Sequence, residues 1–235
     1  MMSMKYLNIR NTLAILLGMV ALWFSSCSKS DSPYYDYENQ VQSFDGTALA
    51  YLKAQPEGTF DSLLLVLNRF PDLEDSLNNQ KVTLFAPVNE NFVAALKYLN
   101  LSLKAEGEAP LTLSTVDADQ LDTLICRYII RDVKTTNDYI QELDGLPLMS
   151  IKFNYPMHAR YVKLSASGFV QGGASSLDFS NPFGSDLVKD WITSRATTVN
   201  IKTNNATINI LSPTHNFGFD EFTDRMKLIE DEDNL

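Results

Sequence analysis

The chain has 235 residues, of which 45% are apolar and 20% charged, with 19 basic against 29 acidic side chains. That length can bury a sizeable core and suits one domain with elaborations. A formal net charge of −10 opposes binding to nucleic acid or to an anionic lipid surface.

Residues 1–26 read as an export signal. Lys5 and Arg10 give the positive segment, and Leu13 to Phe24 form an apolar run too short for a comfortable membrane span. Ser25, Ser26 and Cys27 resemble a bacterial lipoprotein cleavage site. That resemblance implies diacylglycerol on the Cys27 thiol, cleavage before it, and acylation of the freed amine by a chain such as palmitate. An uncleaved signal anchor and a plain secretory signal are the alternatives. Losing Lys5 and Arg10 leaves 17 basic against 29 acidic residues, a net of −12. Lipidation would consume one of the two cysteines, so Cys126 cannot form an intrachain disulfide and reads as a small buried hydrophobe. Residues 27–43, with Tyr34, Tyr35 and Tyr37, read as a tether whose tyrosines could also dock on a partner.

The domain is expected over residues 44–222, followed by an acidic tail at 223–235. Residues 45–54 read as a helix. Thr59 is placed to cap a second helix whose face is Phe60, Leu63, Leu64 and Leu67, with Pro71 ending it. A turn of helix over Leu73–Leu77 leads to Val82, Leu84 and Phe85, which are strand formers, and Pro87 stops that strand because it has no donor for a central ladder. Asn89 then reads as a helix N-cap, with Glu90 favoured in the first turn. Phe92, Ala95, Leu96 and Leu99 make one apolar helical face. Leu101 to Thr115 reads as a loop, Val116 to Tyr128 as a helix, and Asn137 to Leu143 as a short helix.

From there the period changes to two. Leu146–Phe153, Tyr161–Ala166 and Phe169–Gln171 are β-type runs broken by Pro156, Gly168 and Gly172-Gly173. Val199 and Ile201, then Ile208 and Ile210, flank Asn204-Asn205 as in a hairpin, where asparagine tolerates the positive φ of a tight turn. Helices early and strands late predict an α+β fold, a helical layer packed on short β-sheets as a compact wedge.

Phe85-Ala86-Pro87-Val88-Asn89-Glu90-Asn91-Phe92 resembles the first signature box of fasciclin-type domains. Tyr128 lies in the segment resembling the family's central box, where the family usually has histidine. Asn205 to Leu211 resembles its closing hairpin, with Ala206 in place of glycine and Asn209 in place of histidine. The resemblance runs over residues 44 to about 222. It implies an extracellular adhesion or interaction module without catalysis, in which Phe85, Ala86, Pro87, Asn89, Phe92, Tyr128 and Asn205 hold the fold.

No nucleophile elbow, phosphate-cradling loop or calcium loop is present in the sequence. His158 and His215 stand apart, without ligand-spaced partners, so neither cofactor nor metal is expected. The dispersed aspartates, Asp122 among them, leave a glycosidase-type carboxylate pair open. Asp61-Ser62-Leu63, Asp75-Ser76-Leu77 and Asp122-Thr123-Leu124 resemble a bacterial O-glycosylation acceptor. The candidate binding segment is Asp178–Ser194. There Phe183 and Trp191 would offer aromatic contact area, with Asn181 and Asp186 orienting a ligand. The alternative is a lid whose aromatics pack on the core.

The expected function is thus a lipid-anchored adhesion or binding module of a Gram-negative envelope, at the outer membrane, with a protein or glycan partner. A carbohydrate-binding or carbohydrate-processing accessory protein and a structural envelope subunit are the alternatives.

Overall fold

The computed structural model describes residues 42–165, 170 and 173–227. The export signal, Cys27, most of the tether and the acidic run at 230–233 lie outside the described residues, as does most of the run expected at Phe169–Gln171.

The first half is helical: α1 (Ala48–Lys53), α2 (Asp61–Leu67), α3 (Pro71–Asn79), α4 (Asn89–Glu106) and α5 (Ala118–Ile125), which runs into a 3-10 turn at Cys126–Tyr128. Helix α4 extends into the segment expected to be a loop and stops at Gly107, whose φ of 84° closes the last turn in the left-handed conformation. Its buried face is Asn91, Phe92, Ala95, Leu99 and Leu103.

Other helix boundaries differ from the sequence reading: the helix expected over Asn137–Leu143 spans only Thr136–Tyr139, and the one expected over Val116–Tyr128 spans Ala118–Ile125. Val88, not Asn89, occupies the N-cap of α4. Asn89 is the first helical residue, and its Oδ1 accepts the Ser62 amide at 2.8 Å, closing the start of α2. Thr59 therefore has no capping role, and Phe60 sits at the cap position of α2. Pro71 does not terminate α2. It opens α3, where its missing N–H costs nothing because the first amides of a helix have no internal partner.

The strands are β1 (Val82–Ala86), β2 (Ile129–Arg131), β3 (Leu146–Met149), β4 (Pro156–Lys163), β5 (Ser175–Asn181), β6 (Ile192–Lys202) and β7 (Ala206–Leu211). Short helices α6 (Thr136–Tyr139) and α7 (Phe222–Lys227) complete the described elements. The sheet order is β2-β1-β7-β6-β5-β4-β3. β1 and β7 run parallel while the other neighbours are antiparallel. All five residues of β1 are buried, as a parallel central strand requires. The fold is α+β, helices on a mixed sheet.

β6 is the strand that joins the two halves of the sheet. Its first residues pair with β5 (Ile192 with Asn181, Arg195 with Asp178), and its later ones pair with β7 (Ala196 with Leu211, Lys202 with Thr207). The change of partner is accompanied by register shifts between Ala196, Thr198 and Ile201. The left-handed asparagine expected in the hairpin turn is Asn200, at φ 62°, inside this irregular stretch. The turn itself closes without one, through Thr203, whose N–H donates to the Ala206 carbonyl and whose Oγ1 accepts the Ala206 N–H, both at 2.9 Å.

The segment from Asp178 to Ser194 is not one long connection. Residues up to Asn181 belong to β5, and β6 resumes at Ile192. Leu177 and Phe179 are fully buried, and Phe179 stacks on Phe85 with ring centroids 3.9 Å apart. Between them Asp178 bonds Arg195 at 2.7 and 3.1 Å, with Arg160 at 3.4 Å, its register partners on β6 and β4. Pro156 does not break β4 but begins it, a position where no ladder donor is needed. Beyond β7, Phe217 packs on Phe92 at 4.4 Å, and α7 buries Phe222 and Met226, so the boundary expected at 222 falls inside a packed helix.

Candidate functional site

The motif residues meet in a buried hub. Ala86 follows Phe85 at the end of β1, Pro87 and Val88 turn the chain, and Asn91 enters the core one residue before Phe92. Asn91 is fully buried. Its Oδ1 accepts the Val88 amide at 2.7 Å, and its Nδ2 donates to the Ser212 and His215 carbonyls at 2.9 and 2.8 Å. It therefore bolts the strand-to-helix turn to the loop after β7. The sequence reading emphasised Asn89. The signal for Asn91 was its spacing of four and eight from Ala95 and Leu99, which puts an amide on the buried face, where its hydrogen bonds must be met.

Tyr128 is buried beneath the same loop. Its hydroxyl accepts the Gly218 amide at 2.8 Å and lies 2.7 Å from His215 Nε2. One proton is shared between Tyr128 Oη and His215 Nε2, and burial keeps the ring neutral. Burial pushes the His215 pKa down to about 3 and raises that of Tyr128 far above the usual phenol. Asn205 is a second buried staple: Oδ1 accepts the Ala48 amide at 2.9 Å, and Nδ2 donates to the Leu77 and Gln80 carbonyls at 3.0 and 2.9 Å. It ties α1 and the end of α3 to the β6–β7 hairpin.

The four residues proposed to contact a ligand do not converge. Asn181 is fully buried and structural. Its Oδ1 accepts from Tyr155 Oη at 3.1 Å and from the Phe183 amide at 3.0 Å, and its Nδ2 lies 3.3 Å from Glu221. Trp191 is half-buried, with Nε1 donating to the Ser185 carbonyl at 2.7 Å and its ring 4.7 Å from that of His158. Asp186 is exposed. Phe183 sits in the left-handed region at φ 51°, 36% exposed, followed by Gly184 at 73°. The Ser185 amide closes that turn on the Pro182 carbonyl at 2.9 Å, giving the primed geometry that suits a hairpin but strains a phenylalanine.

Residues 182–191 are nevertheless a built platform. Ser185 Oγ bonds Asp190 at 2.9 Å and accepts the Leu187 amide at 3.2 Å, while the Asp190 amide returns to the Leu187 carbonyl at 2.9 Å. This internal bonding presents Leu187 and Val188 to solvent, 56% and 67% exposed. The turn between β3 and β4 lies at the same end of the sheet, because Pro156 of β4 neighbours the last residues of β5. It carries Phe153, also left-handed at φ 61° and exposed. The two turns are joined by the Tyr155–Asn181 bond. Below them Arg127 is fully buried, 3.9 Å from the Tyr155 ring centroid, and paired with Glu221. An apolar loop end thus rests on a polar base. Sequence reasoning missed Arg127, which looked like an ordinary charged residue on a helix.

Two further titratable groupings lie near the hub, around Lys152 and at Cys126. Asp122 and Asp72 share one cation, Lys152, 2.6 Å from Asp72. Burial raises the Asp122 pKa despite that partner, while Asp72 is lowered by its bond to Lys152 against a desolvation cost. Cys126 is buried, and desolvation pushes its thiol up to about 12, which suppresses thiolate chemistry. Among the described residues no group of three His, Cys, Asp or Glu side chains could hold a metal ion, and no helix is long and apolar enough to cross a membrane. Of the Asp-Ser/Thr-aliphatic triplets, Ser76 is buried with Oγ on the Asp72 carbonyl, and Thr123 Oγ1 bonds the Asp119 carbonyl.

No family model matches the sequence, and no curated protein matches it. Among solved structures, the chain is similar to a FAS1 domain pair from the insect cell adhesion molecule Fasciclin I, with 12% identity and a TM-score of 0.45. The match covers 67% of this chain and 44% of that one, so the chain spans less than half the length of the pair.

Proposed function

We propose that this chain is a fasciclin-type domain acting as a non-catalytic adhesion module, held at a bacterial envelope by a lipid on Cys27. The observation that carries the adhesive reading is the loop end, with its two strained, exposed phenylalanines and the exposed Leu187 and Val188 on a hydrogen-bonded frame. Left-handed backbone at a bulky residue costs about 1–3 kcal/mol and persists where a surface shape is needed. Apolar side chains on a rigid turn lose little entropy when a partner covers them. The order of the boxes along the chain, with Phe85 and Phe92 in the core and Tyr128 beneath the closing loop, supports the family reading.

Beads coated with the full chain, purified in detergent, are expected to adhere to one another or to cells bearing the protein. Leu187→Asp with Val188→Asp should reduce that adhesion at least about tenfold, a cost of about 1.4 kcal/mol or more. The thermal midpoint should stay unchanged, because both side chains are exposed. Full adhesion by the double variant would overturn the reading. Trp191→Ala is a poorer probe, since Trp191 also braces the loop through Ser185.

The anchoring reading rests on the signal-like segment before Cys27. Cys27→Ala is expected to shift the protein out of the membrane fraction or leave the precursor uncleaved, as read by fractionation and mass spectrometry. Normal cleavage with unchanged membrane retention would exclude it.

A further inference from the structure

A second site lies where the sheet divides. β7 ends at Leu211, opposite Ala196, the Ser212 amide still holds the Arg195 carbonyl at 2.9 Å, and β6 continues back to Ile192 paired with β5. The chain after β7 peels away, and a cleft of about 260 Å³ opens between the first residues of β6 and the loop at 212–220. That volume is below the roughly 300–1,000 Å³ of pockets for drug-sized ligands, so it suits a single small ring.

The lining is polar and incompletely bonded. Ser194 is 7% exposed, and its Oγ has no hydrogen-bond partner among the described residues. Asn216 donates Nδ2 to Asp220 at 2.6 Å, while its Oδ1, also buried, has none. His215, whose Nε2 turns to Tyr128, also lines the cleft. Buried polar atoms are seldom left without partners, and each costs about 1–3 kcal/mol when it is. Ser194 Oγ and Asn216 Oδ1 thus supply a hydroxyl able to donate or accept and an acceptor.

Charge narrows the ligand. The Arg195 guanidinium is committed to Asp178 through two bonds, and Asp220 leaves one carboxylate facing the cleft. A ligand anion would meet that carboxylate without a free cation to offset it. We propose that this cleft binds one neutral sugar residue, whose ring hydroxyls both donate and accept and so match the mixture offered. This goes beyond the adhesive reading, which concerns the β5–β6 loop, and it stands without it.

The test is a saturation-transfer NMR and calorimetric titration of the full chain in detergent with methyl glycosides of glucose, galactose, mannose and N-acetylglucosamine, and with methyl glucuronide. At least one neutral glycoside is expected to bind with a Kd of about 1–10 mM, ordinary for a handful of hydrogen bonds. Ser194→Ala and Asn216→Ala should each weaken it about five- to tenfold. Leu187→Asp with Val188→Asp should leave it unchanged, which separates this site from the loop. Ser194→Ala should not lower the thermal midpoint, because it removes a buried hydroxyl that has no protein partner; that variant reports binding free of any folding defect. Absence of binding by every neutral glycoside, tighter binding of the glucuronide, or affinity untouched by both variants would each overturn the proposal.

Discussion

Asn91→Ala is expected to lower the unfolding free energy by about 5 kcal/mol, because it strips three partners at once, two of them in buried bonds. The Val88 amide and the His215 carbonyl would lose their side-chain partner in buried bonds, and the Ser212 carbonyl in a part-buried one. Asn91→Asp should do no better, since a carboxylate keeps the acceptor for Val88 but turns an anion toward two carbonyl oxygens. Asn89→Ala, two residues away, removes one bond closing α2 and should cost about 1 kcal/mol, the usual value of a helix cap. Urea midpoints of the three variants decide the matter. Equal shifts for Asn89→Ala and Asn91→Ala would show that the turn is not bolted through Asn91.

Acid should find a second weak point at His215. Its folded pKa, about 3, lies below the value near 6.5 of an unfolded histidine. The unfolded state therefore binds the proton first, and the stability associated with the neutral ring is fully present above about pH 6.5. As pH falls it is lost at about 1.4 kcal/mol per unit, reaching roughly 5 kcal/mol in all by the folded pKa. His215→Gln retains a group able to accept the Tyr128 proton and should lose this slope between pH 6.5 and 4.5. Subtracting its stability curve from that of the wild type cancels the carboxylates Asp72 and Asp138, whose lowered pKa values act at more acidic pH. Parallel curves would mean that the ring is protonated, or open to water, in the folded protein.

These two residues illustrate what the sequence made legible. The helical half, the β1 strand and the closing hairpin follow from local pattern: Phe92, Ala95 and Leu99 repeat at helical spacing, and Ile208 and Ile210 alternate. β5 escaped notice because Ser-Ser-Leu-Asp-Phe-Ser-Asn has few strand formers and a central acid. Only the register, which seats Asp178 between Arg160 and Arg195, makes that acid tolerable, and register is a long-range property. The same limit hid the partners of Asn91, Asn205 and Arg127, each of which bonds residues distant in the chain. The candidate loop was found by its aromatics. The sequence does not reveal that Asn181 and Trp191 turn inward to hold the frame while Leu187 and Val188 turn out.

The way the chain enters the domain has a mechanical consequence. The Lys202 amide donates to the Gln42 carbonyl at 2.8 Å and the Phe44 amide to the Lys202 carbonyl at 2.9 Å, a single parallel bridge to the end of β6. A pull on the N-terminus loads these two bonds together. Behind them the Asn204 amide holds the Gly46 carbonyl at 2.8 Å and the Ala48 amide donates to Asn205 at 2.9 Å, and both pass tension into the turn of the β6–β7 hairpin. β7 lies parallel to β1 along five register pairs, so that ladder would have to slide as a unit and not unzip bond by bond. Under a pull on the N-terminus the bridge at Gln42 and Phe44 is thus loaded before the β1–β7 ladder.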